Sequence, residues 1–486
     1  MSGVDYDVIV VGGGPGGATA ATLTTMDGHR VLLLDKEFFP RYQIGESLLP
    51  STVHGICPML GLRGEIERAG FVRKRGGTFR WGANPEPWTF AFAASDRMAG
   101  PCSYAYQVER TRFDELLLDN ARRHGVDVRQ GHRAVGVVRD GGRIAGVRYV
   151  DDAGAERVAT ARFVVDASGH TSRLHHDVGG RREYSPVFRN LALFGYFEGG
   201  HRMPAPNSGN ILCVAFPSGW FWYIPLSDSL TSVGAVVRRE SAAKVQGDPE
   251  AAYAALIAEC PMIAGFLRGA RRATRSPYDK LRVRKDYSYD RTRLWAPGMA
   301  LVGDAACFID PVFSSGVHLA TYSALLAARS INSVFAGMDE DRCFGEFEAR
   351  YRREFGLFRD FLIAFYGLHV DEGSYFWQAR RISAQRGGRL EAFVNLVGGV
   401  SGADFARLDP GVAGSGVAGS EERDSEERDS GVLGSGVLGE LIAEGVNLQL
   451  RGLLGGGAEP PMFPGGLSAS VDGRRWVVPA AAGAIP

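Results

Sequence analysis

A glycine-rich turn between two short apolar runs constrains the fold of this chain more than any other feature of its sequence. Residues 8–11 and 31–34 are apolar runs of the length expected for buried strands. The turn at 12–17 and a helix-like stretch at 18–25 connect them. Two strands joined by a helix pair in parallel, because parallel neighbours need a long crossover connection. The sequence therefore predicts an α/β fold with a parallel sheet.

The turn carries the spacing G-x-G-x-x-G through Gly12, Gly14 and Gly17, with Pro15 inside it. Glycines allow the backbone to approach a pyrophosphate, and the N-terminus of the following helix attracts its negative charge. Asp35 closes the second strand, where a carboxylate can bind the hydroxyl groups of a ribose. These residues predict a dinucleotide-binding site of the Rossmann type. The alternative is a glycine-rich turn that binds no ligand.

The hydrophobic pattern divides the chain into four parts. Residues 1–190 and 280–335 are predicted to form one discontinuous dinucleotide-binding domain. Alternating apolar stretches within 191–279 predict an inserted antiparallel sheet that forms a substrate lobe. Aromatic residues at three- and four-residue steps predict a helical region at 336–400, and a Gly-rich tail follows at 401–486.

Composition disfavours several classes of protein. Lys plus Arg equals Asp plus Glu at 55 each, so charge gives no reason to expect a nucleic acid or a membrane surface as partner. No apolar run approaches the ~18 residues that a membrane span needs. The six cysteines lack paired spacing, which argues against a metal site and predicts a cytoplasmic protein with reduced thiols. Back-to-back five-residue repeats at 411–440 predict a mobile segment.

Later segments indicate that the dinucleotide is FAD. Asp166 and Gly169 follow one predicted buried strand, and Gly303 and Asp304 follow another. With the V-E-R sequence that ends at Arg110, this set resembles the FAD-dependent aromatic hydroxylase superfamily. Only one Rossmann-type loop is visible, so we expect FAD to be reduced by a separate flavin reductase. The alternative is that NAD(P)H binds without a recognisable motif.

The sequence W-x-W-x-I-P at 220–225 gives the chain a resemblance to flavin-dependent halogenases, and segments 40–50 and 308–316 add to it. On a strand, Trp220 and Trp222 point to the same face. The resemblance implies that these two indoles separate an organic substrate from the flavin, whereas the alternative is a pair of core tryptophans. The residues that the resemblances assign to FAD are Gly12, Gly14, Pro15, Gly17, Asp35, Lys36, Arg41, Glu46, Ser47, Arg110, Asp166, Gly169, Gly303, Asp304, Pro311 and Gly316.

Lys74 matches the catalytic lysine of these halogenases by position, although Arg73 and Arg75 beside it also fit a solvated basic run. The resemblance implies that reduced FAD and O2 form a C4a-hydroperoxide, which converts chloride or bromide into a hypohalous acid. Lys74 would then direct this oxidant to an aromatic ring. The halide is expected on the backbone N–H groups of Ser315 and Gly316, because amides at a glycine turn form an anion-binding nest.

Phe313 occupies the position at which halogenases of free tryptophan carry a glutamate. We therefore expect Phe313 to lie near a more reactive ring, a phenol or a pyrrole, and we favour a phenol such as a tyrosyl derivative. The resemblance is closest to enzymes of natural-product biosynthesis whose substrate is tethered to a peptidyl carrier protein. A basic run at 268–285 is a candidate docking surface for that carrier, although such runs are more often solvated faces.

Two other functions fit parts of the sequence. A single-component FAD aromatic hydroxylase shares the FAD motifs but needs neither Lys74 nor the paired tryptophans, and it works without a halide. A flavin-bound isoprenoid reductase or cyclase would have a long apolar pocket and no need for O2.

Overall fold

The computed structural model is organised around two eight-stranded sheets. It describes residues 3–81, 86–95, 98, 100–285, 288–367, 389–401, 461–463 and 465–479. The first sheet, called the parallel sheet below, has Tyr6–Val11 at its centre, paired in parallel with Glu156–Asp166 and Val31–Asp35. The predicted α/β fold is confirmed. The strand order is Trp295–Ala296, Met299–Leu301, Glu156–Asp166, Tyr6–Val11, Val31–Asp35 and Asp127–Gln130, with Arg143–Val150 pairing to Glu156–Asp166 and Arg133–Asp140 beyond it.

The crossover helix that follows the first strand is Pro15–Thr25. It begins three residues before the predicted start at residue 18, because proline needs no N–H partner in the first turn and its φ already suits a helix. This helix packs against the long helix Gly316–Phe335. A Cβ at Gly16 would lie 3.1 Å from the Ala320 carbonyl oxygen, so a small residue allows the two helices to approach closely.

The second sheet, called the antiparallel sheet below, contains the predicted strands of 191–279 and three strands from outside that interval. Gly76–Arg80 and Trp88–Ala91 extend it at one edge, and Arg282–Lys285 pairs with Leu191–Glu198. A short apolar run indicates a strand but not its partner, so the sequence did not reveal these additions. The strand order is Arg271–Arg272, Leu191–Glu198, Leu230–Val237, Gly219–Pro225, Ile211–Phe216, Gly76–Arg80 and Trp88–Ala91.

The predicted helical region contains the helices Glu340–Gly367 and Arg389–Val397. The tail returns to the body of the protein as a small hairpin of Ser468–Ala469 and Trp476–Val477. Trp476 anchors the hairpin, because its indole nitrogen donates to Ser330 Oγ at 2.9 Å and its ring is buried. The repeats at 411–440, predicted to be mobile, lie outside the described residues.

The remaining elements are short helices and two-stranded pairs. Among the described residues, no helix has the length and apolar character needed to cross a membrane. The remaining α- and π-helices are Ser51–Ile56 (a π-helical turn), Cys57–Met59, Arg63–Arg68, Arg110–Arg123, Pro249–Ala258 and Pro261–Phe266. The short strand pairs are Val72–Lys74 with Ala105–Gln107 and Arg182–Tyr184 with Tyr289–Arg291.

Candidate active site

A cavity of about 710 Å³ lies where the strands of the parallel sheet end and reaches the inner face of the antiparallel sheet. Most of the residues that the sequence assigned to FAD or to the tryptophan wall line it. Those lining residues are Gly12, Gly14, Pro15, Asp35, Lys36, Arg41, Glu46, Ser47, Arg110, Gly169, Trp220, Trp222, Gly303, Asp304, Pro311 and Gly316. Five predicted site residues are not among the lining residues, namely Gly17, Lys74, Asp166, Phe313 and Ser315.

The glycine turn folds tightly under one end of the cavity. Gly12 has a φ of +103°, and a Cβ there would lie 2.4 Å from the Ala167 carbonyl oxygen. A Cβ at Gly17 would lie only 1.7 Å from the Gly12 carbonyl oxygen, so this glycine shapes the turn from behind the cavity. Asp35 Oδ2 accepts a hydrogen bond from the Gly13 backbone nitrogen at 2.6 Å. Asp35 therefore braces the turn as well as facing the cavity.

Arg41 and Arg110 line the cavity and share one buried carboxylate, Asp114. Arg110 contacts both Asp114 oxygens, at 2.6 and 2.8 Å, and Arg41 lies 3.2 Å from Asp114 Oδ2. Asp114 was not assigned to the site from sequence, although its i,i+4 spacing from Arg110 on a helix was a usable signal. The shared carboxylate holds both cations in place at the cavity wall.

Two further carboxylates belong to the turns beside the cavity. Asp166 is fully buried and accepts hydrogen bonds from Ser168 and from the Ser172 hydroxyl, so its oxygens shape the turn at 168–172. Asp304 faces the cavity itself, and burial raises the pKa of its carboxyl to about 6, with Arg284 and Arg110 opposing that shift. Asp166 therefore positions the turn, whereas Asp304 is available to a ligand.

The loop before helix Gly316–Phe335 lines the cavity through Asp310, Pro311 and Ser314. Ser314 adopts a left-handed conformation with φ 60°, and the space around Gly316 is open. Buried Asp310 holds the loop by accepting hydrogen bonds from the Val312 backbone nitrogen and the Tyr366 hydroxyl. The helix N-terminus adds a positive potential at this point. A helix N-terminus favours an anion, whereas the nearby Asp310 carboxyl group lines the same cavity, so the halide position stays a prediction.

Trp220 and Trp222 both line the cavity, as expected for side chains two apart on one strand. Their ring centroids lie 6.1 Å apart. Trp222 Nε1 donates to Ser232 Oγ at 3.1 Å, and Trp220 packs beside Trp81 at 6.3 Å. The two indoles form a continuous aromatic wall, called the tryptophan wall below.

Lys74 is buried, with 2% of its surface exposed, whereas its neighbours Arg73 and Arg75 are exposed. Strand alternation around residue 74 explains why three consecutive cations do not form one solvated run. Its Nζ donates to the Leu48 carbonyl oxygen at 3.1 Å and lies 5.6 Å from the Phe92 ring centroid. Burial lowers the pKa of Lys74 to about 7. The amine is therefore distributed between its charged and neutral forms near neutral pH.

Phe313 lies in a cluster of aromatic side chains rather than at the cavity. Phe92, beside Lys74, packs on Phe90 at 5.7 Å between centroids; Phe90 packs on Phe393 at 5.1 Å. Phe393 then lies 6.5 Å from Phe313. These four phenylalanines, called the aromatic cluster below, connect the surroundings of Lys74 with the loop at 310–316. The sequence did not predict the cluster, because its members come from distant segments.

The basic run at 268–285 does not form one surface. Arg282, Arg284 and Lys285 line the cavity. The Arg282 guanidinium lies 3.6 Å from the Tyr42 ring centroid, and Arg284 donates to Gln43 Oε1 at 2.8 Å. The last three cations of the run therefore line the cavity, and docking of a carrier by the run stays a prediction.

The burial of Lys74 predicts a pH-dependent contribution to stability. Its pKa is about 7 in the folded chain against an ordinary 10.5, so the unfolded chain binds one more proton between these values. Stability then rises with pH in this window. Relative to Lys74→Met, the wild-type free energy of unfolding should gain about 2 kcal/mol between pH 7 and pH 9. Urea unfolding at both pH values measures the gain; parallel pH profiles of the two proteins would contradict it.

The cavity suits FAD in shape and chemistry. Helices Pro15–Thr25 and Gly316–Phe335 both begin at its wall, and the glycine turn leaves space for a pyrophosphate. Asp35 and Asp304 offer carboxylates to hydroxyl groups, and Arg41 offers a cation to a phosphate. A bound FAD would supply the redox chemistry, while these residues hold it.

Comparison with known proteins agrees with this geometry. The family described as tryptophan halogenase matches the chain over residues 7–100 and 94–411. The chain is 36% identical over 406 residues to a tryptophan 2-halogenase of Chondromyces crocatus, covering 81% of this chain and 75% of that protein. It is 34% identical to the flavin-dependent halogenase gsfI of Penicillium aethiopicum, covering 68% of this chain and 65% of that protein.

Solved structures show the same likeness. The myxobacterial chondrochloren halogenase CndH, described as a new variant of FAD-dependent halogenases, superposes with a TM-score of 0.76 at 52% identity. The match covers 97% of this chain and 99% of that chain. The flavin-dependent halogenase CmlS follows with a TM-score of 0.69 at 34% identity, covering 77% and 67%.

These findings confirm the predicted family, fold class and cofactor. Enzymes of this kind use FAD in its reduced form, supplied by a separate flavin reductase, with a halide and O2 as co-substrates. The chain belongs to the tryptophan halogenase family of flavin-dependent halogenases and is an oxidoreductase that acts on aromatic substrates.

Proposed function

We propose that this enzyme chlorinates or brominates a phenolic ring, such as that of a tyrosyl derivative, with Lys74 as the residue that delivers the oxidant. The main observation behind the proposal is that the primary amine of Lys74 is buried and donates a hydrogen bond to a backbone carbonyl oxygen. Within the described residues its Nζ donates to a backbone carbonyl oxygen and not to a carboxylate. Its pKa of about 7 leaves an ammonium that can hydrogen-bond a hypohalous acid and an amine that can accept its halogen.

Each part of the site has one role in this proposal. Bound FAD in its reduced form supplies electrons for the reduction of O2 that accompanies oxidation of the halide. The amides of Ser315 and Gly316 hold the halide at a helix N-terminus, where an anion is favoured. The tryptophan wall keeps the organic ring out of the cavity. Lys74 then presents the oxidant at one place, and the position of the ring decides which carbon reacts.

The preference for a phenol rests on Phe313, which occupies the position at which halogenases of free tryptophan carry a glutamate. Phenylalanine rings hold another ring by offset or edge-to-face packing. They offer no carboxylate to assist a weakly activated ring. A phenol donates electron density from its own hydroxyl and needs no such assistance.

We also propose that the ring arrives on a peptidyl carrier protein that contacts the exposed cations Arg268, Arg275 and Lys280. Replacing all three by glutamate should lower kcat/KM for carrier-bound tyrosine about tenfold, because association with an acidic partner is steered by charge. Turnover of free tyrosine serves as the control and should not change. Equal kcat/KM values for both enzymes with the carrier-bound substrate, at low and high salt, would contradict the carrier proposal.

One assay separates the candidate functions. The purified enzyme is given FAD, a flavin reductase, NADH, O2 and chloride or bromide, with free and carrier-bound tyrosine in parallel. Mass spectrometry should show the gain of one halogen. A gain of oxygen without halide would indicate an aromatic hydroxylase, and a product formed without O2 would indicate a reductase or cyclase. Either result would overturn the proposal.

A further inference from the structure

Oxidation of a halide in this cavity consumes a proton. One FADH2, one O2, one chloride and one proton yield FAD, hypochlorous acid and water. O2 accepts four electrons, two from FADH2 and two from chloride, and the proton completes the balance. The group that gives this proton must lie at the cavity, where the halide is oxidised.

The buried carboxyl group of Glu46 lines the cavity and is connected to two tyrosines. The Tyr196 hydroxyl donates to Glu46 Oε1 at 2.7 Å. The Tyr42 and Tyr196 hydroxyl oxygens lie 2.7 Å apart. The Tyr196 hydroxyl has a single hydrogen, which it donates in its hydrogen bond to Glu46. The Tyr42 hydroxyl is therefore the donor in the hydrogen bond between the two tyrosines. The two hydroxyls form a chain directed from Tyr42, which also lines the cavity, to Glu46.

We infer that Glu46 is the acid that supplies this proton. Tyr196 and Tyr42 restore it by passing on a proton that Tyr42, which is partly exposed, takes from water. The inference rests on the proposed function, since it concerns the same halide oxidation. The sequence resemblance had assigned Glu46 only to FAD binding. Within the part of the chain that the structure describes, no group lies in full hydrogen-bonding geometry to Glu46 Oε2, although the Ser232 hydroxyl is close enough to favour the charged carboxylate. This oxygen can carry the proton.

The electrostatics around Glu46 agree with this role. Burial raises the pKa of Glu46 to about 7. Hydrogen bonds from Ser232 and Tyr196 and the charge of Arg110 oppose this effect, and Glu109 adds to it. Burial also raises the pKa of Tyr42, against the opposing charges of Arg282 and Arg284. Glu46 and Tyr42 are therefore both protonated below pH 7. Above pH 7 Glu46 loses its proton, so halide oxidation should slow.

The test compares Glu46→Gln and Tyr196→Phe with the control Tyr278→Phe. Tyr278 packs on Tyr196 at 4.7 Å between centroids, but its hydroxyl donates to Glu109 and is not part of the relay. We expect Glu46→Gln to lower the rate of hypochlorous acid formation about a hundredfold and to abolish its decline above pH 7. Tyr196→Phe should slow repeated turnover, and Tyr278→Phe should match the wild type.

A second readout needs no bound FAD. Infrared difference spectra between pH 5 and pH 9 should show one protonated carboxyl band that titrates near pH 7 and is missing in Glu46→Gln. Loss of FAD binding by Glu46→Gln, or an unchanged pH profile while the wild type still halogenates, would overturn the inference and leave the proposed function intact. A wild type that forms no halogenated product would overturn both.

Discussion

Replacing Lys74 by methionine is expected to lower formation of the halogenated product by about a hundredfold or more, while FAD binding stays near the wild-type level. Lys74 is absent from the cavity lining, so its removal should not disturb the cofactor. Methionine suits the burial of this side chain but has no amine to bind or accept the oxidant. Oxidation of reduced flavin by O2 should therefore continue without yielding product.

The matched control for this experiment is Arg75→Met. The Arg75 side chain is exposed. Its backbone nitrogen donates a hydrogen bond to Asn210 Oδ1, which the substitution does not remove. We expect this variant to halogenate at the wild-type rate. Product formation and flavin oxidation are followed together by mass spectrometry and by flavin absorbance. Normal product yield from Lys74→Met would remove Lys74 from the mechanism.

Gly17→Ala is expected to weaken FAD binding about a hundredfold, because the new Cβ would lie 1.7 Å from the Gly12 carbonyl oxygen. Relief of this clash must move the turn that faces the pyrophosphate position. Gly356→Ala is the control, since a Cβ there meets nothing within 4 Å on a helix. Flavin fluorescence titration and thermal melting separate a binding defect from unfolding. Wild-type affinity in a folded Gly17→Ala protein would contradict the role given to the turn.

The predictions that the structure confirms were based on local patterns in the sequence. The apolar run of the first strand is continuous because a parallel strand is buried on both faces, and Val8, Ile9 and Val10 are fully buried. Trp220 and Trp222 share one face because strand side chains alternate. In both cases the spacing along the chain determines the geometry.

Contacts between distant segments could not be predicted in this way. Asp114 holds two arginines from different segments, and Phe313 joins rings from a strand and two helices. The burial of Lys74 between two exposed arginines also depends on a neighbouring segment, since its hydrogen-bond acceptor belongs to Leu48. These contacts depend on the pairing of segments, which periodicity does not specify.

The most direct measurement of the central claim is a crystal structure with FAD and the phenolic substrate bound. We predict that the substrate ring lies on the Lys74 side of the tryptophan wall, with a ring carbon about 3–4 Å from Lys74 Nζ and none in contact with the isoalloxazine. A ring packed against the isoalloxazine inside the cavity, with Lys74 remote from it, would contradict the separation of oxidant formation from halogen transfer.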